Sequence, residues 1–316
     1  MPELPEVETL RLGLKKYLVG HKIEDVEVRL RRIVSGDVKN IIVAKFTKVE
    51  RFGKGLVMHL DNGYAIAVHI KLTGQLIYQE VSKASKVKVI KGTYSTLPNK
   101  WTHVIFKLKS QIANRKTEDA YLYYNDFRQF GWIKIVKKDE VAKLPFFKEL
   151  GPEFSIDVIL GIRPEPETPG SGGDSGQARM TKEILTLKKF AEIIKKAKTA
   201  IKPLIMDQKK ISGIGNIYAN DSLNLARIDP SRKSNTLSDK EIETFYKALE
   251  TVLKRGLKYG GASELSYVNV LGQEGGYQKH FLAYGREGEK CFNCGGTIEK
   301  IKLGGRGTYF CRRCQT

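Results

Sequence analysis

The chain opens on groups that could perform covalent chemistry on a carbonyl carbon. Its first ten residues are MPELPEVETL. Removal of Met1, which is expected before a small second residue, exposes the secondary amine of Pro2. An α-amino group has a pKa near ~8, so an appreciable fraction is unprotonated and nucleophilic at neutral pH. Attack on an aldehyde carbon, such as C1′ of a ring-opened deoxyribose, gives an iminium that acidifies the neighbouring C2′ hydrogens.

Carboxylates crowd the same stretch, at Glu3, Glu6 and Glu8. Apolar residues at helical spacing predict a helix from Leu4 to Leu18, with a proline in its first turn. The amine then lies just outside a helix N-terminus, beside carboxylates suited to proton transfer. A structural alternative explains the same residues, because Glu and Pro are both common in a first helical turn.

A second cluster of chemically distinctive residues lies at the other end of the chain. Sixteen residues separate two Cys-x-x-Cys pairs, and the four thiols are Cys291, Cys294, Cys311 and Cys314. Paired knuckles at this spacing predict one tetrahedral zinc ion with no open coordination position. We therefore expect a structural zinc, no active-site metal, no organic cofactor and a reducing compartment.

Composition limits the class of protein. The 316 residues include 55 Lys and Arg against 35 Asp and Glu, a net charge of +20. This excess predicts a polyanionic partner, and nucleic acid is the first candidate. No apolar run is long enough to span a bilayer and no secretory signal is visible, so we expect a soluble protein with room for two domains.

Periodicity predicts a β-rich first half. Strand-like segments cover residues 25–32, 41–49, 55–60, 64–70, 102–108, 120–124 and 131–136, with a hairpin turn at 61–63. They indicate a sandwich or barrel-like sheet with the first helix packed on it. The lysine-rich stretch from Ser82 to Lys100 is interpreted as an exposed loop.

The second half is predicted to be helical. Residues 164–177 are rich in Pro, Gly, Ser and acidic residues and are interpreted as a flexible linker. Residues 182–198 place Ile184, Leu187, Ala191, Ile194 and Ala197 on one helical face. Gly213 and Gly215 precede a helix whose N-terminal N–H groups could bind phosphate. A capping box from Ser238 to Glu241 predicts another helix, with Ile242, Phe245, Leu249 and Val252 buried.

PELPEVE resembles the N-terminus of the formamidopyrimidine-DNA glycosylase (Fpg/Nei) family, and further motifs along the chain support the resemblance. It implies an α+β protein, with an N-terminal β-sandwich and leading helix, followed by a helix-two-turn-helix domain that ends in a zinc-finger β-hairpin. The expected domains are a catalytic one over 1–150, a linker over 151–180, the helix-two-turn-helix domain over 181–277 and the zinc finger over 278–316.

The resemblance also implies site residues. Pro2 is the nucleophile, Glu3 the proton donor and Glu6 the residue that orders the amine. Lys54 is counted with these catalytic residues and also contacts phosphates at the lesion. HIKLTG is similar to the family's HLGMSG. The resemblance implies that His69 contacts a phosphate and that Leu72, in place of Met, is an apolar wedge.

Three further DNA contacts follow from matching motifs. NDFRQFG resembles the family's DPRRFG loop, which makes Arg128 the reader of the orphaned cytosine and Phe130 a wedge; without the family, Phe130 would be interpreted as a core residue. Phe127 and Gln129 depart from that motif. Asn216, in a match to the helix-two-turn-helix, and Arg306, at the tip of the zinc hairpin, are implied phosphate ligands. The glycine-rich segment from Gly260 to Tyr277 corresponds to the family's loop over the extruded base, and no base-reading residue is assigned in it.

The implied function is a bifunctional DNA glycosylase and AP lyase of base excision repair, acting on 8-oxoguanine and formamidopyrimidines. PELPE, rather than PEGPE of the Nei branch, favours oxidised purines. A glycosylase for oxidised pyrimidines and a non-catalytic zinc-containing protein that binds damaged DNA stay open as alternatives. The expected partner is duplex DNA with oxidised bases or abasic sites, bound by a monomer without membrane attachment, in the bacterial cytoplasm at the nucleoid.

Overall fold

The computed structural model describes residues 1–81, 86–90, 93–110, 119–160 and 183–316. The chain forms two compact units: Met1–Lys148 together with Tyr259–Gln278, and Glu149–Lys258 together with Lys279–Thr316. We call Tyr259–Gln278 the return segment, because it comes back to the first unit. Among the helices in the described ranges, none is both long and apolar enough to cross a membrane. The predicted linker at 164–177 lies outside the described residues.

The predicted first helix is confirmed. Helix α1 covers Leu4–Leu18, with Glu3 as its N-cap and a proline in the first turn. The apolar residues at helical spacing are all buried; they are Leu4, Val7, Leu10, Leu14 and Leu18. This apolar stripe packs the helix on the sheets of the first unit, so its N-terminus is held in a defined place.

Two sheets share the main hydrophobic core of the first unit. The strands are β1 (His21–Val28), β2 (Val34–Ser35), β3 (Phe46–Phe52), β4 (Gly55–Leu60), β5 (Tyr64–His69), β6 (Gly74–Glu80), β9 (Thr102–Ser110), β10 (Asp119–Asp126) and β11 (Trp132–Lys137). One sheet has the order β1-β9-β10-β6, and the other β2-β11-β5-β4-β3. The sequence-predicted strands match these elements, although β1 and β3 are displaced by a few residues.

The lysine-rich stretch from Ser82 to Lys100 is the exposed loop that the sequence suggested only in part: Tyr94, Pro98 and Lys100 are exposed, but residues 87–89 are not. Strands β7 (Val87–Ile90) and β8 (Thr93–Ser95) form an antiparallel hairpin. Val87, Lys88 and Val89 are all at least 95% buried. The prediction was wrong here because the burial comes from the return segment, which is distant in sequence. That segment also supplies Tyr267 and Val270 to the main core, whereas the predicted division kept residues 181–277 together.

The second unit is mainly helical in its described part. Its helices are α4 (Leu187–Lys196), α5 (Ile201–Met206), α6 (Asn216–Ala226) and α7 (Asp239–Lys258), while α2 (Pro145–Lys148) and α3 (Ile156–Leu160) are short. The capping box before α7 is confirmed, since Ser238 N–H donates to Glu241 Oε2 at 2.8 Å. The predicted face of α4 was partly wrong. Phe190 and Ile194 are buried, but Ile184 and Leu187 are exposed, because Ile184 precedes the helix and Leu187 is its first residue, after the N-cap Thr186.

The C-terminal hairpin pairs β12 (Glu299–Leu303) with β13 (Arg306–Phe310). A two-residue turn of Gly304 and Gly305 joins them, with φ of 57° and 74°. Turns of this kind need positive φ at both positions, which glycine adopts without strain. Arg306 therefore begins its strand directly at the tip of the hairpin.

Candidate active site and zinc centre

Two buried glutamates define the start of the first unit. Pro2 is buried directly before Glu3, which is 2% exposed, and Glu6 is 1% exposed. The backbone N–H of Glu3 donates to Glu6 Oε2 at 2.7 Å, as in the reciprocal half of a capping box. The side chain of Glu6 thus satisfies an otherwise unbonded helix-terminal donor and is fixed next to Pro2.

The return segment completes the surroundings of Glu6. Ala262 N–H donates to Glu6 Oε1 at 2.8 Å, and the Tyr267 hydroxyl donates to the Glu6 carbonyl at 3.2 Å. A Cβ on Gly261 would lie 2.7 Å from Glu6 Cγ, and φ at this residue is 83°. The glycine is therefore required for this close approach. The family resemblance implied that this segment covers the extruded base but assigned no base-reading residue in it, and no local pattern links it to the N-terminus.

Lys54 lies close enough to His69 for its positive charge to act on the imidazole. Lys54 occupies the turn between β3 and β4 and is 3% exposed; His69 ends β5 and is also 3% exposed. Burial, then the positive charges of Lys71 and Lys54, lower the pKa of His69 to about 3. Lys71 N–H donates to His69 Nδ1 at 2.9 Å. The imidazole is therefore neutral at pH 7, with its proton on Nε2.

Leu72 and Arg128 lie on two turns that hydrogen bonds join. Arg128 N–H donates to Thr73 Oγ1 at 2.9 Å, and the same hydroxyl donates to Asp126 Oδ1. Leu72 is half-buried in the turn that follows β5. Lys71, where the family motif has Gly, has φ of 50°, a conformation that strains a side chain with a Cβ. The departure from the motif thus has a structural cost in this turn.

The structure places Phe130 on the surface. It is 54% exposed, and Phe127 is 43% exposed, so the interpretation of Phe130 as a core residue is wrong. The guanidinium of Arg128 lies 5.0 Å from the Phe130 ring centroid. Gln129 Oε1, where the motif has a second Arg, accepts a hydrogen bond from Arg32 Nη2. A guanidinium therefore remains at this position, although it comes from another part of the unit.

In the second unit, Asn216 and Arg306 belong to one hydrogen-bonded group. Asn216, the first residue of α6, donates from Nδ2 to the Gly307 carbonyl at 3.1 Å, next to the exposed Arg306. Lys202, 1% exposed, donates to the Gly307 carbonyl at 2.9 Å and to Thr308 Oγ1 at 2.7 Å. Sequence reasoning missed Lys202, because positive charge alone does not distinguish it among 55 Lys and Arg.

The four cysteines form the predicted metal centre. Their sulfur atoms all lie within 4.8 Å of one another, with Cys291 and Cys314 3.7 Å apart and Cys294 and Cys311 3.5 Å apart. Tetrahedral zinc with Zn–S bonds of about 2.3 Å requires sulfurs roughly 3.8 Å apart, so the four thiols fit one zinc ion. Gly296 N–H donates to Cys294 Sγ and lowers the pKa of that thiol to about 7.

Comparison with known families identifies three parts of the chain. Family models match the formamidopyrimidine-DNA glycosylase N-terminal domain over residues 1–133, the formamidopyrimidine-DNA glycosylase H2TH domain over 178–267, and the zinc finger found in FPG and IleRS over 288–316. Together with the buried glutamate pair and the four-thiol centre, these domains define a DNA glycosylase that carries a zinc finger.

Individual relatives specify the family. A formamidopyrimidine-DNA glycosylase from Pelotomaculum thermopropionicum is 35% identical over 320 residues, covering 100% of this chain and 99% of that protein. A mutant of Lactococcus lactis FPG in complex with Fapy-dG containing DNA has a TM-score of 0.78 and 28% identity, covering 100% of both chains. Lactococcus lactis Fpg with abasic-site DNA gives 0.77 and 28%, covering 99% of both. The chain belongs to the formamidopyrimidine-DNA glycosylase family.

Proposed function

We propose that this protein excises 8-oxoguanine and formamidopyrimidines from duplex DNA and then cuts the strand by β,δ-elimination through an iminium on Pro2. The observation that carries the proposal is the buried pair Glu3 and Glu6, joined by a 2.7 Å hydrogen bond beside the N-terminal proline. Related proteins in complex with Fapy-dG and abasic-site DNA support the substrate class. PELPE supports the choice of purines.

Each proposed step has an assigned group. The Pro2 nitrogen attacks C1′, and the bond from C1′ to the base breaks. The departing base keeps the bonding electron pair and takes up a proton, equivalent to the one that the nitrogen loses. Glu3 gives a proton to the sugar O4′, so the ring opens and the nitrogen lone pair forms the iminium. Loss of a C2′ proton then expels the 3′ phosphate, and a second elimination expels the 5′ phosphate. Glu6, bonded to the Glu3 N–H, orders the amine.

The other predicted site residues hold the DNA. Lys54 and the neutral His69 donate to phosphates near the lesion, and Asn216 and Arg306 do so from the second unit. Leu72 and Phe130 occupy the space left by the extruded nucleotide, while Arg128 bonds the edge of the orphaned cytosine. The exposure of Phe130 supports this role, because a ring exposed over 54% of its surface is available to a base step.

We also propose the assignment of tasks along the chain. Residues 1–150 carry the chemistry, 151–180 link the domains, 181–277 and 278–316 bind DNA, and the return segment within 181–277 contributes to the catalytic part. The protein acts as a monomer, in the bacterial cytoplasm at the nucleoid.

Borohydride trapping followed by mass mapping tests the proposal. The purified protein is reduced on duplexes that carry 8-oxoguanine opposite cytosine, a formamidopyrimidine or an oxidised pyrimidine. We expect a cross-link at the Pro2 nitrogen with the two purine lesions. The matched control is Pro2→Leu. A bulky second residue prevents removal of Met1, and the Met1 carbonyl then acylates the nitrogen of residue 2, so this variant should give no adduct.

The outcomes separate the remaining functions. An adduct only with the oxidised pyrimidine would assign the protein to pyrimidine repair. Tight binding to the lesion duplex without any adduct would make it a damage-binding protein. An adduct that persists in Pro2→Leu and maps to a lysine would remove Pro2 from the mechanism.

A further inference from the structure

Lys88 is a buried cation whose partners belong to the return segment. It lies in β7, is 4% exposed, and its Nζ is 3.1 Å from Glu274 Oε2. The same ammonium donates to the Ser263 carbonyl at 3.2 Å. A buried charge is tolerated only where it is paired and hydrogen-bonded. Both partners of Lys88 lie more than 170 positions further along the chain, so this lysine joins two distant parts of the first unit.

Other contacts fasten the same two parts together. Gln75 Nε2 donates to the Lys88 carbonyl at 2.6 Å and also to the Ser266 carbonyl. The Tyr94 hydroxyl donates to Glu274 Oε1 at 2.7 Å. Gln75 in β6 and Tyr94 in β8 thus both reach the return segment, and Gln75 also binds β7. The β7–β8 hairpin therefore supports that segment along one side.

The return segment, which Lys88 contacts on one side, also contacts the proposed catalytic residue Glu6. Ser263, whose carbonyl accepts from Lys88, directly follows Ala262, whose N–H donates to Glu6 Oε1 at 2.8 Å. Ser263 Oγ also donates to the Tyr267 carbonyl at 2.7 Å, which keeps the segment folded on itself. A single peptide unit thus separates the residue held by Lys88 from the residue that contacts Glu6.

The contact between the return segment and Glu6 bears on where the extruded base would lie. A nucleotide attacked at C1′ by Pro2 lies beside Glu6, and its base is attached to that same carbon. The return segment is one hydrogen bond from Glu6, which agrees with the resemblance that makes it the loop over the extruded base.

We propose that Lys88 is a positioning residue that holds the return segment as one side of the pocket for the extruded oxidised base. The proposal rests on the proposed function and deepens it. Lys88 acts through Ser263 and Glu274 and does not itself touch the base. Glu6 keeps its bond from the Glu3 N–H in any case, so elimination at a preformed abasic site, where no base is present, depends less on Lys88 than base release does.

Lys88→Met tests the proposal, because methionine keeps most of the length and apolar volume but removes the charge. Two single-turnover rates are measured: release of 8-oxoguanine from a duplex, and cutting of a duplex with a preformed abasic site. We expect release to fall ~10- to 100-fold, as for a misplaced pocket, while abasic-site cutting stays within a factor of about 3. Lys86→Met, at an exposed position two residues earlier, is the matched control and should change neither rate.

Two further measurements keep the result independent of folding defects. Glu274→Gln removes the partner charge at an exposed position and should reproduce the selective loss of base release. Amide hydrogen exchange over residues 262–274 should be faster in Lys88→Met than in the Lys86→Met control, since the segment loses its support.

Several results would overturn the proposal. These are unchanged base release in Lys88→Met, an equal loss of release and abasic-site cutting, or unchanged exchange over residues 262–274. A wild-type protein that neither released base nor cut abasic DNA would refute the proposed function. The exchange measurement would then decide, by itself, whether Lys88 holds the segment.

Discussion

Arg51 and Glu8 form a buried ion pair that connects the first helix to the turn carrying Lys54. Arg51 Nε donates to Glu8 Oε2 at 3.0 Å, and each side chain is 1% exposed. Arg51 Nη1 also donates to the Gly53 carbonyl at 2.8 Å, one residue before Lys54. The helix that begins beside Pro2 and the proposed phosphate-binding lysine are therefore held by one guanidinium.

We expect Glu8→Gln to destabilise the first unit and to change its response to acid. Burial raises the pKa of Glu8, but hydrogen bonding by Arg11 and the charge of Arg51 outweigh it, so the pKa is lowered from 4.5. A lowered carboxylate pKa stabilises the folded state above the unfolded value, and that stability is lost as pH falls through the lower folded value. Removing one partner of a buried pair costs about 3–5 kcal/mol.

Urea unfolding followed by tryptophan fluorescence measures this effect, since both tryptophans, Trp101 and Trp132, lie in the first unit. The midpoint of Glu8→Gln should be well below that of the wild type at pH 7, and the difference should shrink in acid. A difference that stays constant from pH 7 to pH 3 would show that Glu8 is not ionised in the folded protein.

Glu3→Gln should block base release while leaving DNA binding intact. The amide keeps the shape of the side chain but has no acidic proton to transfer to O4′, and a positioned general acid contributes about 10²- to 10⁴-fold. Single-turnover release and the Kd for a lesion duplex are measured together. Normal excision by this variant would remove Glu3 from the role of proton donor.

Arg306→Ala should weaken binding to all duplexes by a similar factor and lower the slope of log K against log salt by about one, because one phosphate contact is lost. Arg312→Ala is the matched control: this exposed arginine lies in the same zinc finger but is paired with Glu299 at 3.1 Å. Titrations at several salt concentrations give both slopes. An unchanged slope in Arg306→Ala would argue against the hairpin contact.

The contribution of His69 to DNA affinity should not vary between pH 5.5 and pH 8. Its pKa of about 3 leaves the imidazole neutral across this range, as burial and two nearby lysines disfavour the charged form. The ratio of Kd values for His69→Gln and the wild type should therefore be constant with pH. A ratio that increases at pH 5.5 would mean that His69 binds phosphate as a cation.

Zinc removal should abolish DNA binding without unfolding the first unit. The four thiols belong to the second unit and frame the hairpin that carries Arg306. We expect one zinc per chain by elemental analysis, and loss of binding when a mercurial reagent releases it, while tryptophan fluorescence is unchanged. EDTA at concentrations that remove only Mg²⁺ should leave activity intact. Zinc-depleted protein with full DNA affinity would contradict the role assigned to the hairpin.

The features that could be predicted from the sequence are those with a local signal. The helix α1 follows from the spacing of its leucines, the cap of α7 from Ser238 and Glu241, and the metal site from two cysteine pairs. The site residues on motifs were named through the family resemblance, and their roles stay predictions. Local spacing is sufficient for the helix, the cap and the metal site, because the residues that form each of them lie close together in the sequence.

The features that could not be predicted depend on distant partners. Glu6 and Ala262 are 256 positions apart, and Arg51 and Glu8 are 43 apart. The partners of Lys88, Ser263 and Glu274, are distant in sequence, so its own neighbours suggested only an exposed loop. The exposure of Phe130 was likewise hidden, because an aromatic residue after a strand is more often a core residue.

The return of Tyr259–Gln278 to the first unit has a consequence for synthesis of the protein. Tyr267 and Val270 are members of the main core of that unit. A ribosome that has made only residues 1–148 has therefore not yet produced all of this core, nor the partner of Glu6. The first unit reaches its final packing only after residue 278 has emerged from the exit tunnel, when most of the second unit has already been translated. A gene cut between the units would consequently encode an incomplete catalytic half.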